Sequence, residues 1–411
     1  MTSPYGKNAS ALDLFRRMQK MTLQDLMTKY GDYQVTMRRY FHQHPEESGK
    51  EFNTAKRIRE ELDQAGIAWR ECGMGTGTLA RIEGKEPGPT ILLRGDIDAL
   101  SVTEETGLPF ASCTPGLMHA CGHDCHISML LTAAHMLNDI RDQLKGTVVL
   151  AFQPAEEIGK GAQAMIAEGA LDGVDACFGM HVWSDYPSGQ VAILRGAAMA
   201  SCDRYYVHVK GYSTHGAQPH LGRDALVMGA SIVMNLQTLV AREIDPTETA
   251  VVTVGKFQSG SRFNVVAGEA ELEGTTRTFS PEIRASFKER ITRVAKETAA
   301  AMRGTAEVEY IDLVPVTIND PKVCDVAEGA VKKIFGEEGA VQATRLMGSE
   351  DFAYYQEKIP GAMVLLGVRN EAAKSTFPQH HSRYTVDESV LVKGAALHVQ
   401  TALDFLGVTL H

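Results

Sequence analysis

At 411 residues the chain is longer than one hydrophobic core usually serves, so two domains are expected, one of them possible as an insertion in the other. Its 44% hydrophobic and 22% charged residues match a soluble globular protein and exclude a disordered or membrane composition. Lys and Arg number 41 against 51 Asp and Glu, a formal net charge of −10 with no basic run, which argues against nucleic acid as a partner.

Residues 1–21 mix Lys7, Asp13, Arg16, Arg17 and Lys20 among apolar positions, leaving no continuous apolar stretch for a signal peptide. No apolar run elsewhere approaches the roughly 20 residues that cross a bilayer, so no membrane partner is expected. The seven cysteines are odd in number and scattered, a pattern of free thiols in a reducing compartment, and the expected location is cytoplasmic.

Leu12, Phe15, Met18, Leu23, Leu26 and Met27 recur at helical spacings, with Ser10 and Thr22 as candidate caps. A segment at 38–44 stops at Pro45, and an amphipathic segment at 54–62 is closed by Gly66. Strand-length apolar runs follow at 90–94, 147–152 and 176–180, separated by helical patterns at 126–137 and 162–167. This alternation predicts an α/β domain with a mostly parallel mixed sheet flanked by helices. From about residue 202 the order becomes β-α-β-β-α-β: strands at 204–210, 250–257, 269–278 and 306–311, helices at 225–241 and 281–302. That order predicts an inserted α+β, ferredoxin-like unit at 202–313, with 1–201 and 314–411 forming the larger domain. The earlier style returns with a strand at 362–368 and a last helix at 388–405.

The densest chemical signal runs from His119 to His126, where His119, Cys121, His123, Asp124, Cys125 and His126 crowd one short segment. A turn with a buried thiol is the bland reading, and a closed structural zinc knot is hindered by ligands this close together. An open catalytic metal site is the sharper one. Glu156 and Glu157 follow the apolar run 147–152, where open α/β sheets place their ligand crevice. Adjacent carboxylates there can divide the work, one binding a cation and the other accepting a proton from water, or can simply be a solvated helix start. His181 closes another apolar run, and His380 and His381 stand in a loop before the last helix. A thiolate, imidazoles and a carboxylate suit Zn, Mn, Co or Ni better than Mg or Ca.

The stretches 39–46, 93–100, 118–126, 153–157, 211–220, 271–279 and 347–352 together give the chain a recognisable order of motifs. It resembles the aminoacylases, hippurate hydrolases and plant auxin-conjugate hydrolases, within the superfamily of di-metal carboxypeptidases and deacylases with a glutamate carboxypeptidase-like catalytic domain. That resemblance implies hydrolysis of the amide bond of N-acyl amino acids, with a dipeptidase or carboxypeptidase as the alternative. It implies two divalent transition-metal ions, bridged by Cys121, with His123 and His181 completing one site and Glu157 and His381 the other. Glu156 is implied as general base and Asp98 as the residue orienting a ligand from behind. The inserted unit is implied to be a lid and dimerisation domain, giving a homodimer or a dimer of dimers. From it His215 would reach a neighbouring subunit's site to stabilise an oxyanion, while Asn264 and Arg277 would hold the polar end of the substrate. Asp96 stands where the wider superfamily has a histidine ligand, and Ser382-Arg383 stands where relatives have Ser-Pro or Asn-Pro.

Overall fold

The structure, a computed structural model, describes residues 21–410, so the expected helical residues Leu12, Phe15 and Met18 lie outside it. Helix α1 (Leu23–Gln43) starts at Thr22. The Thr22 hydroxyl accepts the Asp25 amide and the Asp25 carboxylate accepts the Thr22 amide, a reciprocal cap. The helix runs unbroken to Gln43, ahead of Pro45, and α2 (Phe52–Gln64) follows.

Next come β1 (Ala68–Glu71), β2 (Thr78–Glu83), β3 (Glu86–Asp96), α3 (His123–Asp139), β4 (Lys145–Gln153), α4 (Gly161–Ala167), β5 (Ala176–Pro187), β6 (Val191–Ile193) and β7 (Gly196–Met199). After the inserted segment the chain adds β14 (Thr317–Asn319), α7 (Pro321–Phe335), β15 (Ala340–Gln342), α8 (Ala353–Gln356), β16 (Gly361–Arg369) and α9 (Leu391–Phe405). Eight strands form one mixed sheet in the order β1-β2-β4-β3-β5-β16-β6-β15, whose centre, β4-β3-β5-β16, is parallel. Strands covered on both faces need apolar residues at successive positions, and Ile91, Leu92 and Leu93 of β3 and Val148 to Phe152 of β4 meet that need. Helices α1, α3, α7 and α9 contribute to the larger core on one face.

The segment between β7 and β14 forms a second sheet from β8 (Cys202–Lys210), β10 (Ala250–Ser259), β12 (Glu269–Thr278) and β13 (Thr305–Val314), in the antiparallel order β10-β12-β8-β13. Its helices are α5 (Ala225–Thr238) and α6 (Pro281–Ala301), and it has a core of its own. A short hairpin, β9 (Thr214–His215) with β11 (Val265–Val266), projects from it. Among the described residues, one helical stretch, Ala225–Glu243, is long and apolar enough to cross a membrane, with mean hydropathy 1.4. Ala225, Met228, Ile232 and Leu236 bury one of its faces against the second sheet, while Leu226, Val227 and Met234 stay exposed.

Candidate metal centre

The carboxyl ends of the parallel strands β3 and β4 come out at one edge of the sheet, beside β5. Asp98 lies just beyond β3, Glu156 and Glu157 just beyond β4, and Cys121 and His123 at the start of α3. His181 does not close its strand as the apolar run suggests, because β5 continues to Pro187 and His181 sits within it. Two backbone positions make the convergence possible. Gly122 has φ 91°, and a Cβ there would overlap the Val182 side chain and the Tyr384 hydroxyl, so only glycine fits between Cys121 and His123. Ala155 is left-handed at φ 53°, a conformation that costs a residue with a side chain and persists only when its surroundings impose it. The buried Glu51 does so: its carboxylate accepts the amides of Ala155 (2.9 Å) and Gly49 (2.7 Å) and the Thr76 hydroxyl (2.8 Å).

The donor atoms of Cys121, His123 and His181 lie within 4.8 Å of one another, and so do those of Cys121, Glu157 and His380. Cys121 belongs to both groups. The His181 Nδ1 lies 2.7 Å from the Val182 carbonyl, and the His123 Nδ1 lies 2.9 Å from the Asp98 carbonyl. Each imidazole therefore donates from Nδ1 and turns its Nε2 towards the same space, that of His181 lying 3.4 Å from the Cys121 Sγ. The His123 Nε2 and the Glu157 Oε1 are buried without a hydrogen-bond partner. Leaving such atoms unpaired costs about 1–3 kcal/mol each, a cost a cation at this place removes.

Electrostatics point the same way. Burial, then Glu157, Glu156 and Asp96, push the Cys121 thiol well above its ordinary range. Burial, then Glu350, Glu157 and Asp351, push Glu156 up, and burial raises Glu157 against the opposing pull of His123. The pocket thus carries more acidic groups than its own cations can balance. With one thiol, imidazoles and carboxylates as donors, these residues fit borderline-soft divalent ions.

Behind the donors the bonding is tight. The Asp98 carboxylate faces His123 Nδ1 at 3.2 Å and accepts the Ser48 hydroxyl at 2.7 Å and the Glu157 amide at 3.0 Å. Asp96 is used structurally: it accepts Arg94 Nη1 at 2.5 Å and His126 Nδ1 at 2.5 Å, and His126 Nε2 in turn accepts the Val182 amide. Arg94, 1% exposed, also binds Glu350 and Asp351 and so anchors the loop beneath Glu156.

A cavity of about 420 Å³ opens over the cluster. Trp183, Met199, Leu313 and Val314 give it apolar walls, and Arg277 enters from β12 of the second sheet, donating to the Ser349 hydroxyl at 3.2 Å. Arg277 thus lines the same cavity as the cluster. His215 and Asn264 meet each other instead: His215 pairs with Val265 across the β9–β11 hairpin, and the Gly216 amide donates to the Asn264 carbonyl at 2.7 Å. Neither lines the cavity of this chain.

His381 requires a correction. Its ring stacks on Phe377 (centroids 4.6 Å apart) and its Nδ1 accepts the Arg383 amide, outside the cluster. His380 takes the place instead, its Nε2 3.7 Å from Glu157 Oε1. The cause is local backbone: His380 is left-handed at φ 66°, its amide donates to the Ala120 carbonyl at 2.8 Å, and consecutive side chains then point apart. Sequence reasoning also missed Glu51, Ser48 and Arg94. The first two lie just past the 39–46 stretch, and Arg94 ends an otherwise apolar run, a charged residue where burial demands partners.

A profile of the peptidase family M20/M25/M40 matches residues 92–404. The chain is 39% identical over 368 residues to N-acetyl-L-cysteine deacetylase of Bacillus subtilis (strain 168), covering 90% of this chain and 87% of that one. It is 36% identical over 381 residues to IAA-amino acid hydrolase ILR1-like 4 of Arabidopsis thaliana, covering 92% and 86%. It is also 38% identical over 379 residues to thermostable carboxypeptidase 1 of Saccharolobus solfataricus, covering 91% and 95%. Among solved structures, a Bacillus subtilis dinuclear metal binding peptidase from the M20 family superposes with a TM-score of 0.82 at 37% identity, covering 93% of this chain and all of that one. The chain therefore belongs to the peptidase family M20/M25/M40 and is a metal-dependent amidohydrolase.

Proposed function

We propose that this enzyme hydrolyses the amide bond of N-acyl amino acids, releasing a carboxylic acid and a free amino acid. The observation that carries the reading is that Glu156 and Glu157 face Cys121, His181 and His380 in one cavity that also receives Arg277. The relatives named as an N-acetylcysteine deacetylase and an amino-acid-conjugate hydrolase support it. Cys121, His123 and His181 would hold one divalent ion and Cys121, Glu157 and His380 the other, with Zn, Mn, Co and Ni the candidates.

Two divalent ions bound by these residues polarise a carbonyl and acidify water. Glu156 takes the proton of the attacking water and delivers it to the departing amine. Its burial beside Glu350 and Asp351 raises its proton affinity, which suits a group that must carry a proton between two steps. Arg277 grips the substrate's α-carboxylate, and Asp98 keeps His123 in the tautomer with Nε2 bare. We take residues 202–313 as a lid that pairs with a second copy. The exposed Leu226, Val227 and Met234 on α5 and the unpaired edge of β10 support a homodimer, in which the His215–Asn264 hairpin would serve the partner's cavity. All seven cysteines are unpaired, which supports a reducing compartment.

The test is amine release from N-acetyl, N-benzoyl, N-indoleacetyl and long-chain N-acyl amino acids, beside simple dipeptides. Cleavage of acyl substrates supports the proposal. Cleavage of dipeptides alone transfers it to the dipeptidase or carboxypeptidase reading, which the carboxypeptidase relative favours.

A further inference from the structure

His42 lies in the core and takes no part in the chemistry above, yet both of its ring nitrogens face carboxylates. Its Nδ1 is 2.8 Å from Asp124 Oδ2 and its Nε2 is 3.2 Å from Glu104 Oε1. The side chain is 0% exposed, Asp124 1% and Glu104 5%. With a carboxylate at each nitrogen the ring can donate from both, an arrangement that favours its charged form even with Arg38 Nη2 3.4 Å from Nδ1. Burial and the neighbouring Arg38 oppose that charge, but Asp124 and Glu104 outweigh them and keep its pKa above the ordinary value.

What makes the position consequential is where the two carboxylates lead. Asp124 adjoins His123 in the first turn of α3. Glu104 adjoins Glu105, whose amide donates to the Ser382 carbonyl at 2.8 Å and whose carboxylate accepts the Ser382 hydroxyl at 2.7 Å. Ser382 is two residues from His380. Glu104 is fixed in its turn by the Ser112 amide at 2.6 Å and by the Thr106 hydroxyl. The His380 loop is also tied by the His380 amide to the Ala120 carbonyl and by the Gln379 side chain to Ser184 and the Val182 carbonyl, and the Glu105–Ser382 contacts secure it on its other side.

We propose that His42 is a positioning residue for the two-ion centre: it joins the Asp124 end of α3 to the Glu104–Glu105 loop, and so holds the His123 and His380 sides of the site in register. This rests on the metal reading of the site given above.

The test measures bound metal, not turnover. Full-length wild type, His42→Asn, Glu105→Gln and the double variant His42→Asn with Ser382→Ala are loaded with Zn²⁺ and dialysed against a graded chelator. Bound metal per chain is then determined, with far-UV circular dichroism as the check of folding. His42→Asn is expected to weaken one of two ions by about 10- to 100-fold, the range for residues that orient ligands from behind. Ser382→Ala is expected to add little to it, because both act through one connection. Glu105→Gln, with a side chain 60% exposed, keeps the core intact and is expected to weaken the same ion should His42→Asn fail to fold. Wild type that binds no metal overturns the functional reading itself. Wild type with two ions beside folded His42→Asn and Glu105→Gln that hold both as tightly overturns this inference alone.

Discussion

The Nδ1 of His123 sits 2.9 Å from the main-chain carbonyl and 3.2 Å from the carboxylate of Asp98, and its Nε2 is left buried with no partner. One residue therefore sets both the tautomer and the direction of a candidate ligand. Asp98→Ala removes the carboxylate and frees the Ser48 hydroxyl and the Glu157 amide as well. A loss of about 10- to 100-fold in metal affinity is expected, read by competition with a chromophoric chelator. Unchanged affinity would mean that the main-chain carbonyl alone is enough.

Glu156→Gln keeps the shape of the pocket and removes the proton acceptor. The expected result is a fall in kcat of about 10²- to 10⁴-fold with metal content and KM little changed. Steady-state kinetics with metal analysis on the same preparation decide it, and a parallel loss of metal would reassign Glu156 to holding an ion.

The adjacent histidines give a sharper contrast. His380→Ala is expected to release one ion and with it nearly all activity, whereas His381→Ala costs the stack on Phe377 and the bond from the Arg383 amide and retains both ions. The opposite pattern would restore the sequence-based choice.

This pair also shows what could be read from the sequence and what could not. The parallel strands were legible because β3, β4, β5 and β16 are buried on both faces and their apolar runs stand out. The edge strand β1, with Arg70 and Glu71 facing solvent, carries no such signal and was missed. Helix α7 was missed too, although Asp320 followed by Pro321 is a readable start. The ligand-bearing segments were legible as clusters of donors at strand ends. Which of His380 and His381 turns inward depends on one left-handed residue and its bond to Ala120, and no local pattern encodes that.

Arg277 approaches from the second sheet and, among the described residues, donates to Ser349 and, weakly, to the Met347 carbonyl, which leaves donors for a carboxylate. Arg277→Ala is expected to lower kcat/KM by about 10- to 100-fold, equivalent to a charged hydrogen bond of about 1.5–3 kcal/mol. The loss should fall on substrates with a free α-carboxylate and spare their α-amides. Equal losses on both would show that Arg277 supports the Ser349 loop instead.

His398, on α9, is buried with its Nδ1 unpaired among the described residues and its ring at 80° to that of Phe178. Burial, and then His126, bring its pKa down to about 3 from the ordinary 6.5. Because the folded value is the lower one, the unfolded chain binds a proton between pH 6.5 and 3 that the folded chain does not. Stability from this group is complete above pH 6.5 and falls as pH drops through that window, by up to about 1.4 kcal/mol per pH unit. His119, brought down to about 4 by burial, acts in the same direction. His398→Phe is expected to flatten the dependence of Tm on pH between 4 and 6.5, and parallel wild-type and variant curves would contradict this.

Dependence of catalysis on two ions held by the Cys121 cluster is tested directly by a metal titration of chelator-treated enzyme followed by amine release from an N-acyl amino acid. Negligible activity is expected without metal, with recovery that saturates at two ions per chain. Full activity in the chelated protein, or a two-ion protein inert towards every N-acyl amino acid and dipeptide offered, would contradict it.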